Sequence, residues 1–179
     1  MAFVQLIDRL SQRIGKAAAW LGLLMVLVAA TNAALGVLEP YTERRLTHVA
    51  IDEAEWYLFT VLFLFAAPWG LQAGAHVRVD VLYSRLGIRG KAWIDLAGGI
   101  LLAVPFAVYA VIVTLPVAAE SLRIHEVSND AGGLARYPLL MAVPVAFGLL
   151  ALQGLANVVR AALAIRAGTP PVAEPGEAA

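Results

Sequence analysis

The chain has 179 residues, 61% of them hydrophobic and 15% charged, with thirteen basic and thirteen acidic groups and no cysteine. A mean hydropathy of +0.78 excludes an ordinary soluble domain, where charged residues make up about 25% of the chain. The missing thiols exclude disulfides, thiolate metal sites and thiol redox chemistry, and with them the four-helix thiol oxidoreductases.

In Met1 to Lys16, Phe3, Ile7, Leu10 and Ile14 recur at helical spacing, with Gln5, Asp8, Arg9 and Gln12 opposite. This predicts a short amphipathic segment over residues 1–16 along the inner membrane interface, or a plain extension of the first span. Lys16 and Glu39 then bracket 22 uncharged residues, enough for a membrane-crossing helix over about 17–38. The run exceeds a signal-peptide core, and Thr31 and Asn32 stand where a cleavage site would need small residues, so the span is expected to stay uncleaved.

Three more uncharged runs follow. Glu55 and His76 bracket 20 residues, Asp95 and Glu120 bracket 24, and Arg136 and Arg160 bracket 23. They predict spans at about 55–75, 94–119 and 137–160, and so an all-α membrane protein with one four-helix domain over 17–166. The remainder, 167–179, is rich in Pro, Ala and Glu and reads as a disordered tail.

Four crossings place nine basic residues on one side: Arg9, Arg13, Lys16, Arg78, Arg85, Arg89, Lys91, Arg160 and Arg166. Only Arg44, Arg45, Arg123 and Arg136 fall on the other. The positive-inside rule makes the richer side cytoplasmic, with both termini inside.

No Asp, Glu, Lys, Arg or His falls within the four runs. A solitary carrier or proton pump needs ionisable groups near mid-membrane, so neither is expected. His48 and His125 belong to outer loops and His76 to an inner one, so they cannot converge on one haem or metal; no cofactor and no enzymatic activity are expected. A haem- or quinone-binding redox subunit and a small self-sufficient exporter are the alternatives. Thr31, Asn32, Thr60, Gln72, Thr114, Gln153 and Asn157 are expected to bond between helices. Ala18 and Gly22, Ala29 and Ala33, and Gly99, Ala103 and Ala107 repeat every four residues and should let backbones approach closely. Pro68, Pro105, Pro116 and Pro144 should bend or locally unwind their helices.

The connection after the second run crowds His76, Arg78, Asp80, Arg85, Arg89 and Lys91 together. Asp80 and His76 lie one helical turn apart, and Asp80 can instead cap a short helix from Val81 to Leu86 ended by Gly87. One His, one Asp and one Arg without a second base form a structural loop more readily than a reactive site.

Two stretches carry a family resemblance: "DEAEWYLFTVLFLFAAPWGLQAGAHVRVDVLYSRL" around the second span, and "ESLRIHEVSNDAGGLARYPLLMAVPVAFGLLALQ" before and through the fourth. Together they resemble the small transmembrane (Q-type, DctQ-like) subunit of TRAP, or tripartite ATP-independent periplasmic, transporters, from about Leu10 to Arg166. The most specific elements are Glu55 with Trp56, followed by His76, Arg78 and Asp80; Glu120 and Ser121 add to them. Leu134 to Pro138 departs from the Pro and Trp of the family pattern. The resemblance implies a noncatalytic scaffold in a bacterial inner membrane, partnered by a large membrane subunit, a periplasmic solute-binding protein and membrane lipids, with no nucleic acid. It implies sodium-coupled import of an organic acid or related solute, with the named residues serving structure or partner contact.

Overall fold

The computed structural model describes residues 2–42, 48–74 and 86–168. Its helices are α1 (Ala2–Thr42), α2 (Val49–Gln72), α3 (Ile88–Gly98), α4 (Val104–Ile124) and α5 (Tyr137–Ala167), with a π-helical turn at Gly99–Ala103 joining α3 to α4. The expected all-α class holds; the only β feature among the described residues is an isolated antiparallel bridge between Val127 and Ala135.

Three stretches are long and apolar enough to cross a membrane: Ala2–Thr42, Arg89–Ile124 and Tyr137–Ala167. α2 has 24 residues and so extends about 36 Å. Asp52, Glu53 and Glu55 crowd its first two turns, and Pro68, Gly70 and Gln72 lie near its end, so its apolar stretch is the shortest of the set.

α1 is continuous over 41 residues, about 62 Å, with no break at Lys16. The amphipathic stretch is therefore the first four turns of the same helix. Its buried residues are Val4, Ile7, Ser11, Gly15 and Ala18, whereas Phe3 and Leu10 point outward. α1 packs here through small and polar residues, Ser11 against Gln153 of α5 and Gly15 against Trp69 of α2, and leaves Phe3 and Leu10 on the outer surface.

The helices run alternately up and down. Gly15 of α1 meets Trp69 near the end of α2, while Asn32 of α1 bonds Asp52 and Glu55 at its start. Likewise Phe106 of α4 contacts Phe147 of α5 edge-on at 6.0 Å. α5 is central and packs against every other helix; 39% of its most apolar stretch is buried, against none of that in α1.

The interior is built mainly of alanine: Ala18, Ala92, Ala107, Ala118, Ala146, Ala156, Ala161 and Ala164 are buried, while Trp20, Leu24, Leu101 and Phe106 face outward. This inverts a soluble core, since lipid tails are as apolar as leucine and helix association there depends on close approach of backbones. The predicted small-residue rows act so in part. Ala107 is buried, and a Cβ on Gly99 would lie 2.5 Å from Val158 Cγ2. Ala18 is buried too, but Ala33 is exposed, so that row stops short of the far end of α1.

The π turn has a specific cause. Pro105 has no N–H to donate, and the backbone adapts just ahead of it, with the Val104 N–H reaching back to the Gly99 carbonyl. Pro40, Pro68, Pro116 and Pro144 are accommodated inside their helices.

Candidate functional site

His76, Arg78 and Asp80 lie outside the described residues, as do residues 81–85 of the expected short helix and the tail beyond Gly168. Gly87 precedes α3 as its N-cap residue. The other singled-out residues gather at the end of the bundle where α2 begins and α4 finishes. Glu55 accepts a hydrogen bond from Asn32 Nδ2 at 2.9 Å, and Trp56 is 41% exposed and sits edge-on to Tyr57 at 4.4 Å. Glu120 pairs with Arg123 of its own helix at 2.6 Å, exposed to the surroundings. Ser121 is buried, and its hydroxyl finds no partner among the described residues.

Between α4 and α5 the chain forms a folded loop from His125 to Arg136. α4 ends on His125, whose left-handed φ of 50° lets the Glu126 N–H bond back to the Ser121 carbonyl at 3.0 Å. Two strand-like arms then pair: Ser128 N donates to Leu134 O, and Arg136 N donates to Glu126 O, both at 2.9 Å. The Gly133 N–H closes the tip onto Asp130 O at 3.0 Å.

Glu53 of α2 clamps this loop. One carboxylate oxygen accepts from the Ser128 hydroxyl, and the other accepts from the Leu134 N–H at 2.5 Å. Only a glycine fits at position 133, because a Cβ there would sit 2.5 Å from Ser128 Cβ and 2.7 Å from the carboxylate. Glu53 precedes the predicted span. Its carboxyl is held below the usual carboxylate range by the Ser128 hydroxyl first and the Leu134 N–H next; nearby Arg136 adds to this and burial opposes it.

The opposite end carries a second polar cluster, built from the start of α1, the end of α2 and the latter half of α5. Gln153, fully buried, accepts from the Ser11 hydroxyl at 2.7 Å and donates to Asp8 at 2.9 Å and to Asn157 at 3.3 Å. Asn157 in turn donates to Leu71 O at 3.0 Å. Arg160 reaches Asp8 at 2.5 Å and Asn157 at 2.8 Å. Three helices are tied by this one network, and Val4 and Ile7 pack beside it on Ala156.

The polar residues of the apolar runs divide by shape. Asn32, Gln153 and Asn157 bond between helices, as predicted. Thr31, Thr60 and Thr114 do not: each donates to the carbonyl four residues earlier, Leu27, Trp56 and Ala110 respectively. The threonine hydroxyl is short and reaches its own helix first. Sequence reasoning also passed over Glu53, Ser128, Asp8 and Arg160 as partners, since pairs 75 and 152 residues apart leave no local pattern. The one legible signal was Glu53 itself, a third carboxylate at the mouth of an apolar run. Among the described residues no three His, Asp or Glu side chains gather as a metal site.

These features define a small multi-pass membrane protein whose polar groups tie helices and one loop together. Residues 37–164 match the family model of the DctQ component of tripartite ATP-independent periplasmic transporters. The match covers most of the chain, which therefore belongs to that family and is the small membrane subunit of a TRAP transporter. No curated protein and no solved structure matches it.

Proposed function

We propose that this subunit is a noncatalytic scaffold: it braces the large membrane subunit and helps seat the periplasmic solute-binding protein of a sodium-coupled importer of an organic acid or related solute. It crosses the inner membrane four times, with α2 as the crossing that returns from α1, and both termini are cytoplasmic. The basic residues support this orientation, because Arg9, Arg13, Lys16, Arg89, Lys91, Arg160 and Arg166 fall at the Asp8 end.

One observation carries the reading. Polar side chains are spent at the two ends of the bundle on fixing helices and a loop, while the predicted spans hold no ionisable group between those ends. Such an object can hold a neighbour in place but has nothing with which to carry an ion across. The Glu53 clamp, on this reading, gives the periplasmic loop a fixed shape for the soluble partner.

His76, Arg78 and Asp80 then serve folding, lipid anchoring or contact with the large subunit. Arg78→Ala or Asp80→Ala lowers assembly and transport together; loss of transport by an intact complex would instead assign these residues to the transport cycle. The reading as a whole is tested by co-expressing this chain with a large membrane subunit of a TRAP transporter from the same genome. Retention of the large protein through an affinity tag on this chain is expected, and failure to associate refutes the scaffold role.

A further inference from the structure

We infer that the outward face of α4, centred on Tyr109, is where the large membrane subunit lies against this chain, through a transmembrane segment bearing a hydrogen-bond acceptor at mid-depth. This rests on the scaffold reading above and adds the place of contact.

Several helices present apolar surface, and their polar groups separate the faces that suit lipid from the one that does not. The outer side of α1 shows Leu23, Leu24, Leu27 and Val37; its one hydroxyl there, on Thr31, is already satisfied by Leu27 O at 2.8 Å. On α2 the exposed Phe59 and Phe63 stack at 6.3 Å, and the Thr60 hydroxyl is bonded to Trp56 O at 2.7 Å. The exposed Trp20 and Tyr41 of α1 and Trp56 of α2 lie close to the span ends, where water and headgroups reach their polar atoms, so hydrocarbon can cover the middle of both surfaces without leaving a donor unpaired.

α4 differs. Phe106, Tyr109, Val113 and Val117 form one stripe at helical spacing and are 59%, 66%, 46% and 56% exposed. No described residue offers the Tyr109 hydroxyl a hydrogen bond. Its depth makes that matter. Tyr109 comes 14 residues after Asp95 and 11 before Glu120, roughly 21 Å and 16 Å along the axis, so it sits close to the middle of the hydrocarbon. Tyrosine belongs at the interface, where its ring is in lipid and its hydroxyl in water. Here neither interface is in reach, and a helical side chain leans toward the N-terminus, further from the nearer one. Lipid tails offer no acceptor, whereas a neighbouring transmembrane segment can supply a side-chain or freed backbone oxygen.

The absence of native cysteine makes the test direct. Single cysteines are placed at Val113 on the α4 stripe and at Leu24 on α1, spin-labelled, and read in bilayers with and without the large subunit. Immobilisation at Val113 only when the large subunit is present, with Leu24 unchanged, is the expected result. Immobilisation at Leu24 instead, or no change at Val113 in a complex that still co-purifies, overturns the placement and leaves the scaffold reading standing. Equal immobilisation at Val113 without the large subunit puts a second copy on this face and also overturns it. Loss of co-purification altogether removes the scaffold reading and this inference with it. Tyr109→Phe keeps the shape and removes only the hydroxyl; it should weaken association by roughly threefold to tenfold, as one intramembrane hydrogen bond would. Unchanged affinity refutes the acceptor.

Discussion

At Gly15 the backbone of α1 lies directly against Trp69 of α2, and replacing the glycine with alanine tests how rigid that contact is. The added Cβ would fall 2.5 Å from Trp69 Cβ and 2.8 Å from two atoms of the indole ring. The ring can turn, but Trp69 Cβ is fixed to the backbone of α2, so the helices must separate by about 1 Å to restore an ordinary carbon contact of about 3.5–4.0 Å. Overpacking of this kind costs about 1–3 kcal/mol, and the gain from replacing a helical glycine returns about 1 kcal/mol at most. A Cβ–Cβ distance of 2.5 Å puts the clash in the upper part of that range, about 2–3 kcal/mol, so a net loss of about 1–2 kcal/mol is expected. Gly22 provides the control on the same face: its added Cβ would meet only the two methyls of Leu62, the nearer at 3.3 Å, and a leucine methyl can move aside. Gly22→Ala should be neutral or slightly stabilising. Thermal unfolding of the purified protein, followed by loss of the monodisperse peak on size exclusion, measures both, and Trp69→Ala in the Gly15→Ala background should recover part of the loss. If Gly15→Ala is as stable as the parent, or Gly22→Ala is the worse of the two, the reasoning about backbone approach is wrong.

Other outcomes follow from the two polar clusters. Asp8→Ala strands Arg160 and removes an acceptor from Gln153; a loss of about 1–3 kcal/mol is expected, and an Asp8→Leu, Arg160→Met double variant should be better than either single change in the same unfolding assay. Because the folded Glu53 carboxyl titrates below its unfolded value of about 4.3, its contribution to loop order is complete above that value. It is lost as pH falls through the depressed folded value. A spin label at Asn129 should stay immobile from neutral pH to about 5 and gain mobility only in stronger acid, whereas Glu53→Gln should make it mobile at neutral pH. Gly133→Ala should release the loop at every pH while leaving the helices intact by circular dichroism. Thr31→Val should leave stability nearly unchanged, since its hydroxyl bonds only within α1, whereas Asn32→Val should lower it by breaking the tie to Asp52 and Glu55.

The hydrocarbon-length apolar runs and the small-residue rows were written locally, because hydropathy and helical spacing are properties of adjacent residues. Membership of the transporter family was also legible, through Glu55, Trp56 and the residues from His76 to Asp80. Only packing in three dimensions decided which face of α1 turns inward. Hydropathy marks Phe3, Ile7, Leu10 and Ile14 as one apolar stripe, but α1 meets α5 through Ser11 and α2 through Gly15, and Phe3 and Leu10 stay outside. The same holds for Glu53, which reads in sequence as one more carboxylate at a span end and in the fold clasps a loop about 80 residues away. It holds again for Tyr109, whose hydroxyl is left without a partner among the described residues only once the neighbouring helices are in place. Depth in the bilayer can be counted along the chain; the direction a side chain faces depends on which helices stand beside it.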